Sequence, residues 1–347
     1  MGVEVLNVEI KGDEAIAFAA DLHADSHPPS SRVDVDYIHT TEQKLKSILD
    51  SCKYHNVKLL IFGGDLFHRV TTTFECVRRI GSMLLNFKKE GIMVGSIVGN
   101  HDLARNQIEK MAKSPLSMLF DFGVVERLSV ERRIVINKKT LITPVGYMDR
   151  LVRANPKAGV NILVAHLFYE VSDYFGKEHI LNKEIIKDLG YNAVFLGHDH
   201  VNYPIIRVDG TDIVRPGSIM RGTTHNYNFD RKVGFYVLHD PTNYDSENYE
   251  FVEIPVKPMN EVVSSLIMNK KDNLADLSDL MGELVSKLTE GDGKYDGILE
   301  TVRKDSSIPQ PVRAMLMEYF SEAGILSGVS EDIRGEGDGS EKDKKRE

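Results

Sequence analysis

Short apolar runs of strand length recur through the first two thirds of the chain, at residues 15–20, 58–62, 92–98, 161–165 and 192–196. They are mostly continuous rather than alternating, the pattern of strands buried on both faces of a sheet. Helical spacing separates the early ones. Leu45, Ile48, Leu49 and Cys52 mark a helix over residues 41–55, and Val77, Ile80, Leu84 and Phe87 mark another over 74–89. Strand–helix–strand order of this kind predicts an α/β layered fold. From about Val201 the pattern shifts to successive strands, at 204–208, 212–214, 233–238 and 249–256, joined by Asp-Gly and Asp-Pro turns. Beyond Pro255 and Pro258 it becomes purely helical. Leu277, Leu280, Met281, Leu284, Val285 and Leu288 form one stripe, and residues 309–323 resume after a Gly-Asp-Gly break. Residues 328–347 hold almost nothing to bury and are expected to be a disordered tail.

Polar residues of one chemical kind follow each early strand. The order is Asp21-Leu22-His23, then Gly63-Gly64-Asp65-Leu66-Phe67-His68, then Gly99-Asn100-His101-Asp102, then His166, then Gly197-His198-Asp199-His200. Functional sites of layered α/β folds gather at the carboxyl ends of strands. Residues two apart in extended backbone share a side, so Asp21 with His23, and His198 with His200, can aim into one pocket. Carboxylates, imidazoles and one amide oxygen without cysteine suit Mn2+, Fe2+ or Zn2+. Asp21, His23, Asp65, Asn100, His166, His198 and His200 exceed the needs of one ion. A carboxylate can bridge, so a two-metal site is the economical reading. A lone histidine is more often an ordinary core or surface residue; the ordered series decides for the metal.

This series resembles the calcineurin-like metallophosphoesterase superfamily over roughly residues 15–222. The string Gly-Gly-Asp-Leu-Phe-His is similar to DNA-repair nucleases of the SbcD type, the meiotic-recombination-eleven nuclease of eukaryotes, and the short length resembles the recombination endonuclease subunit of large bacteriophages. The resemblance implies a four-layer sandwich, two central mixed sheets flanked by helices, with a C-terminal helical arm. It implies Asp21, His23 and His200 on one ion, Asn100, His166 and His198 on the other, and Asp65 bridging. His101 is similar to the catalytic histidine, and His68 to one that positions the DNA end. Manganese is the expected metal, with Mg2+, Fe2+ and Zn2+ as alternatives. In such a site His101 would protonate the leaving 3′-oxygen, with Asp102 as its orienting partner. The Arg215-Pro216-Gly217-Ser218 segment resembles a loop that follows the last metal motif, or is a structural turn.

The chain also departs from that family. Ala24-Asp25 follows His23 where a glycine is common, and Leu167 follows His166 where a glutamine is. The family's larger nucleases carry a substantial cap after the last ligand. Only about 35 residues separate Gly222 from Pro258, so a reduced cap is expected. The implied domains are a nuclease domain over 1–257, a helical partner-binding arm over 258–327 and the tail over 328–347.

Composition changes this picture in one respect. Two cysteines, no signal pattern and no apolar span argue for a cytoplasmic protein without a membrane role, in the host cytoplasm if phage-encoded. Net charge of −9 speaks against DNA, until it is read by segment. Residues 69–157 carry 16 basic and 8 acidic side chains, whereas 240–300 carry 5 and 14. Arg78, Arg79, Lys88, Lys89, Arg132, Arg133, Lys138 and Lys139 are candidate phosphate contacts, or a solvated face. The chain has no Gly-x-x-x-x-Gly-Lys-Ser/Thr loop. In the resembled family a C-terminal helical segment binds the coiled-coil base of an SMC-like ATPase of the SbcC type. The expected activity is therefore metal-dependent exonuclease or endonuclease cleavage at DNA ends in repair and recombination, as a homodimer with that partner. A metallophosphatase acting on nucleotides or phosphoproteins, and a DNA-end-binding scaffold, are the competing readings.

Overall fold

The computed structural model describes residues 2–29, 31–103, 108–170, 180–223 and 227–263. The chain divides into two units, Met1–Asn269 and Lys270–Glu347. The second lies wholly outside the described residues, and with it most of the expected arm and the expected tail.

Two large sheets form the first unit. Numbered along the chain, the first has in spatial order β1 (Glu4–Val8), β6 (Arg132–Ile136), β7 (Thr140–Val145), β8 (Val160–His166), β11 (Ala193–Gly197), β13 (Thr211–Arg215) and β12 (Tyr203–Val208). The second has β15 (Tyr249–Glu253), β14 (Gly234–His239), β2 (Ala15–Ala19), β3 (Val57–Phe62), β4 (Met93–Ser96) and β5 (Glu126–Arg127). Both mix parallel and antiparallel pairs. A small parallel pair, β9 (Phe168–Tyr169) with β10 (Ile180–Leu181), stands apart.

Alternation along each strand builds the layers. On β2, Ile16 and Phe18 face the first sheet, where they share a buried cluster with Val164 and Phe195. The Phe18 and Phe195 rings stack with centroids 3.6 Å apart. Ala15, Ala17 and Ala19 point the other way, toward α1 (Tyr37–Tyr54), α2 (Phe74–Lys89) and α3 (Pro115–Asp121). Small side chains there let Leu45 and Ile48 of α1 come close to the sheet. On the far side, Leu163 and Ala165 of β8 pack against Ile186 and Leu189 of α4 (Lys183–Leu189). The order helix, sheet, sheet, helix is the expected four-layer sandwich.

Helix boundaries follow from capping. Asp36 accepts the His39 N–H at 2.8 Å and starts α1 four residues before the apolar spacing becomes regular. Thr73 accepts the Cys76 N–H at 3.3 Å and starts α2 where expected. Of the residues between Gly222 and Pro258, from which a reduced cap is expected, β14 and β15 run as an antiparallel pair at one edge of the second sheet.

Candidate metal centre

The carboxyl ends of β2, β3, β4, β8 and β11 carry the predicted ligands. Asp21 and His23 follow β2, Asp65 follows β3, Asn100 and His101 follow β4, His166 ends β8, and His198 follows β11. The backbone there is bent into a rarely occupied form. Asp21, His23, Asp65 and His198 all have positive φ, at 54°, 47°, 51° and 87°. Asp, Asn and His tolerate that region better than branched residues, and such strain concentrates at functional sites. Glycine is demanded at two neighbours. A Cβ on Gly99 would sit 2.1 Å from Asp65 Oδ1, and one on Gly64 would sit 2.4 Å from His166 Nδ1.

The side chains collect into two adjoining groups. Asp21, His23 and His200 bring ligand atoms within 4.8 Å of one another, and so do Asp65, His166 and His198. Asn100 Oδ1 lies 2.9 Å from His166 Nε2 and belongs with the second group. Asp65 lies between them. Its Oδ2 is 3.3 Å from His166 Nε2 and 3.8 Å from His23 Nε2. That oxygen is buried with no hydrogen-bond partner among the described residues. An orphaned buried carboxylate oxygen is costly unless something positive occupies the space beside it.

Proton bookkeeping points the same way. His166 Nδ1 lies 2.7 Å from the Gly63 main-chain oxygen, which only accepts, so Nδ1 carries the hydrogen and Nε2 turns inward. Nε2 then meets two further acceptors, Asn100 Oδ1 and Asp65 Oδ2. Only a cation, a second ring proton or a metal ion, satisfies three acceptors that converge. Burial works against a charged His166, but the Asp65 carboxylate prevails and raises its pKa to about 9. Burial alone would raise Asp65, yet His166, His23 and His101 hold it well below the usual range. Burial, with Asp65 adding repulsion, lifts Asp21 to about 8. Burial also pushes His200 down to about 4 and His198 to about 2, the latter helped by His166. Neutral imidazole is the form that ligates metal. The nitrogen-and-oxygen donor set, the orphaned oxygen and the neutral His198 and His200 rings fit a pair of divalent ions, one of which would stand in for the second ring proton of His166.

The predicted catalytic residues divide. His101 and His68 stand at the rim, their rings stacked with centroids 5.0 Å apart. His101 Nδ1 lies 2.9 Å from the His68 main-chain oxygen, and its main-chain N–H donates to Asp65 Oδ1 at 2.9 Å. His68 Nδ1 is 3.2 Å from His23 Nδ1. Asp102 does not take the expected place behind His101. It is 1% exposed, and its carboxylate accepts the main-chain N–H groups of Asp65 and Gly99 at 3.0 Å and of Phe67 at 3.4 Å. Asp102 buckles the β3 loop to the β4 loop; the His68 carbonyl orients His101.

Other expectations can be placed. The Arg215–Ser218 segment packs under the last motif, with Ser218 N–H donating to His200 O at 3.1 Å and Arg215 lying over the Tyr203 ring. Arg79 is engaged by Glu42 and Asp36, and Arg132 by Glu4 and Glu126. The eight candidate basic residues are divided between α2 and its C-terminus on one sheet and β6 with its turn on the other. Sequence reasoning missed Tyr147 and Phe168, whose rings lie 5.5 Å and 4.0 Å from that of His198. Neither belongs to a motif. A further group, His55, His239 and Glu250, lies at the opposite end of the second sheet, where His239 pairs with Ala15 at the start of β2.

The calcineurin-like phosphoesterase profile matches residues 15–202, more than half of the chain and the whole of the ligand series. The chain belongs to that family. Members bind a dinuclear metal centre and hydrolyse phosphoesters, which is the chemistry the two adjoining groups are arranged for. The DNA double-strand break repair protein Mre11 of Methanopyrus kandleri is 22% identical over 264 residues, covering 69% of this chain. The match spans 56% of that relative's length. Among solved structures, TT1561 of Thermus thermophilus is similar over 70% of this chain and 99% of its own, with a TM-score of 0.42 and 9% identity. No described helix is long and apolar enough to cross a membrane.

Proposed function

We propose that this chain is a metal-dependent DNA nuclease subunit that hydrolyses phosphodiester bonds at DNA ends and works with an SMC-like ATPase. The observation that carries the hydrolytic part is Asp65 Oδ2, buried and unpartnered between two groups of His and Asp ligands. Asp21, His23 and His200 would hold one divalent ion and Asn100, His166 and His198 the other, with Asp65 shared. When bound, a pair of such ions, with Mn2+ the expected metal, would offset the charge of a phosphodiester and lower the pKa of a nearby water.

The chain's own part is proton transfer and placement. With Nδ1–H fixed on the His68 carbonyl, His101 exchanges protons through Nε2, and it would protonate the departing 3′-oxygen. His68, stacked on His101 at the rim, would meet the DNA end first. The similarity to a DNA double-strand break repair protein supports DNA as substrate. The resemblance supports the ATPase partner and a homodimer, the apolar stripe at residues 277–288 adds support for the partner alone, and co-purification with and without residues 260–347 tests the partner.

The discriminating experiment compares end-labelled linear duplex with covalently closed circular duplex, a nucleotide and a phosphoprotein, all in Mn2+. Degradation of the linear form from its ends is expected. Faster turnover of the nucleotide or phosphoprotein would make the chain a phosphatase on the same centre.

A further inference from the structure

Beside the metal centre lies a cavity of about 410 Å³ whose buried cations have no part in the chemistry above. One wall is a face of α1, which turns Thr40, Gln43, Lys44 and Ser47 toward it. These positions share one helix face, next to the apolar face that packs Leu45 and Ile48 on the sheet. Arg32, Lys44 and Arg221, at 6%, 7% and 3% exposure, supply the charge, and exposed Lys257 adds to it.

That charge is unbalanced. Asp34 is the one carboxylate lining the cavity among the described residues, and Arg32 takes both its oxygens, at 2.7 and 2.9 Å. Lys44 Nζ is left with the main-chain oxygen of Ile219. Arg221 donates to the main-chain oxygens of Asn228 and Lys257, and its Nε is buried without a partner. Arg231 nearby likewise has no carboxylate within ion-pair reach among the described residues, and it buries one Nη unpartnered. Burying cations with only carbonyl partners is unfavourable, and an anion placed beside them would offset the imbalance. Burial and the guanidiniums of Arg32, Arg221 and Arg231 press the Lys44 pKa well below its ordinary value, as expected where positive charges face one another.

We infer that this cavity binds a phosphate group, held by Lys44, Arg221 and Lys257 and by the polar face of α1. A dianion matches several uncompensated cations better than a single carboxylate does, and its oxygens accept from hydroxyl, amide and ammonium donors together. The volume exceeds that of bare phosphate and falls within the range of small-molecule sites, which leaves room for an attached nucleoside. A free nucleoside monophosphate and a phosphate within a DNA strand share this chemistry. The inference stands on the cations and does not depend on the nuclease reading. It does place the phosphate close to the metal centre, because Ile219, whose carbonyl accepts from Lys44, also donates its N–H to the main-chain oxygens of Ala20 and Asp21.

The test is calorimetric titration of the full chain, kept metal-free with EDTA, with inorganic phosphate, a deoxynucleoside monophosphate and a short single-stranded oligonucleotide. Saturable phosphate binding is expected, weakened about tenfold or more by Lys44→Met and by Lys257→Glu and retained in His166→Ala. Should Lys44→Met fail to fold, the surface substitution Lys257→Glu carries the test. Tighter binding of the mononucleotide than of the oligonucleotide identifies a free nucleotide as the source; the reverse identifies a strand. Absence of saturable phosphate binding, binding that neither lysine substitution weakens, or binding that His166→Ala abolishes would overturn the inference.

Discussion

The Nδ1 atom of His101 lies 2.9 Å from the main-chain oxygen of His68. A carbonyl only accepts, so this contact fixes the tautomer of His101 and leaves Nε2 as its exchangeable nitrogen. It also couples the two rim histidines, because the residue whose side chain stands at the rim supplies the carbonyl that orients its neighbour. His101→Ala should leave both ions bound and reduce phosphodiester turnover by about 100-fold or more. Metal analysis beside kcat on a chromogenic phosphodiester checks this. An empty centre in the variant would show a structural role instead.

Asp102 should behave as a buckle. Asp102→Ala strands three main-chain N–H groups in a buried loop, which costs about 3 kcal/mol or more. A fall in Tm of roughly 6–12 °C is the expected reading. If Asp102 oriented His101 the variant would keep its Tm and lose only turnover.

Gly99→Ala should abolish metal loading although no ligand is changed. Its Cβ would meet Asp65 Oδ1 at 2.1 Å and the Asp65 main-chain nitrogen at 2.5 Å, so Asp65 must leave its place. Metal content by emission spectroscopy, with circular dichroism to show that the fold is kept, tests this. Full loading would contradict the placement of Asp65.

How much of this was legible in the sequence differs by element. Strands β2, β3, β8 and β11 were, because both faces are buried and their runs are apolar with few interruptions, such as Lys58 and Asn161. Strands β1 and β6 were not: they pair at the edge of the first sheet with mostly exposed or half-exposed side chains, so no run marks them. The ligands were legible because a sharp turn after a buried strand needs Gly, Asp or His, and the same residues bind metal. The role of Asp102 was hidden, since a carboxylate that accepts main-chain N–H groups leaves no spacing to read. The cavity beside α1 was hidden too. Lys44 falls between apolar Leu45 and polar Gln43 in sequence, and only the fold shows that it is buried with no carboxylate in ion-pair reach among the described residues.

The Arg32–Asp34 pair predicts a pH response that involves none of the metal ligands. Burial would raise the pKa of Asp34, but its bonds to Arg32 and Thr40 outweigh burial and lower it from 3.8. As pH falls the unfolded chain therefore takes up this proton first. The stabilisation is complete above about pH 4 and is lost as pH drops through the lower folded-state value. Asp34→Asn should accordingly be less stable than the parent at pH 6, with the gap closing toward pH 2. A gap that stays constant in acid denaturation would contradict the ion pair.

The centre itself is tested most directly by counting ions. Titration of the metal-free chain with Mn2+, followed together with hydrolysis of a chromogenic phosphodiester, should give two ions per chain and activity that rises only as the second binds. In Asp65→Asn, which removes the shared carboxylate, both stoichiometry and activity should collapse. A single ion at full activity, or an Asp65→Asn chain that keeps two ions and normal turnover, would contradict the account.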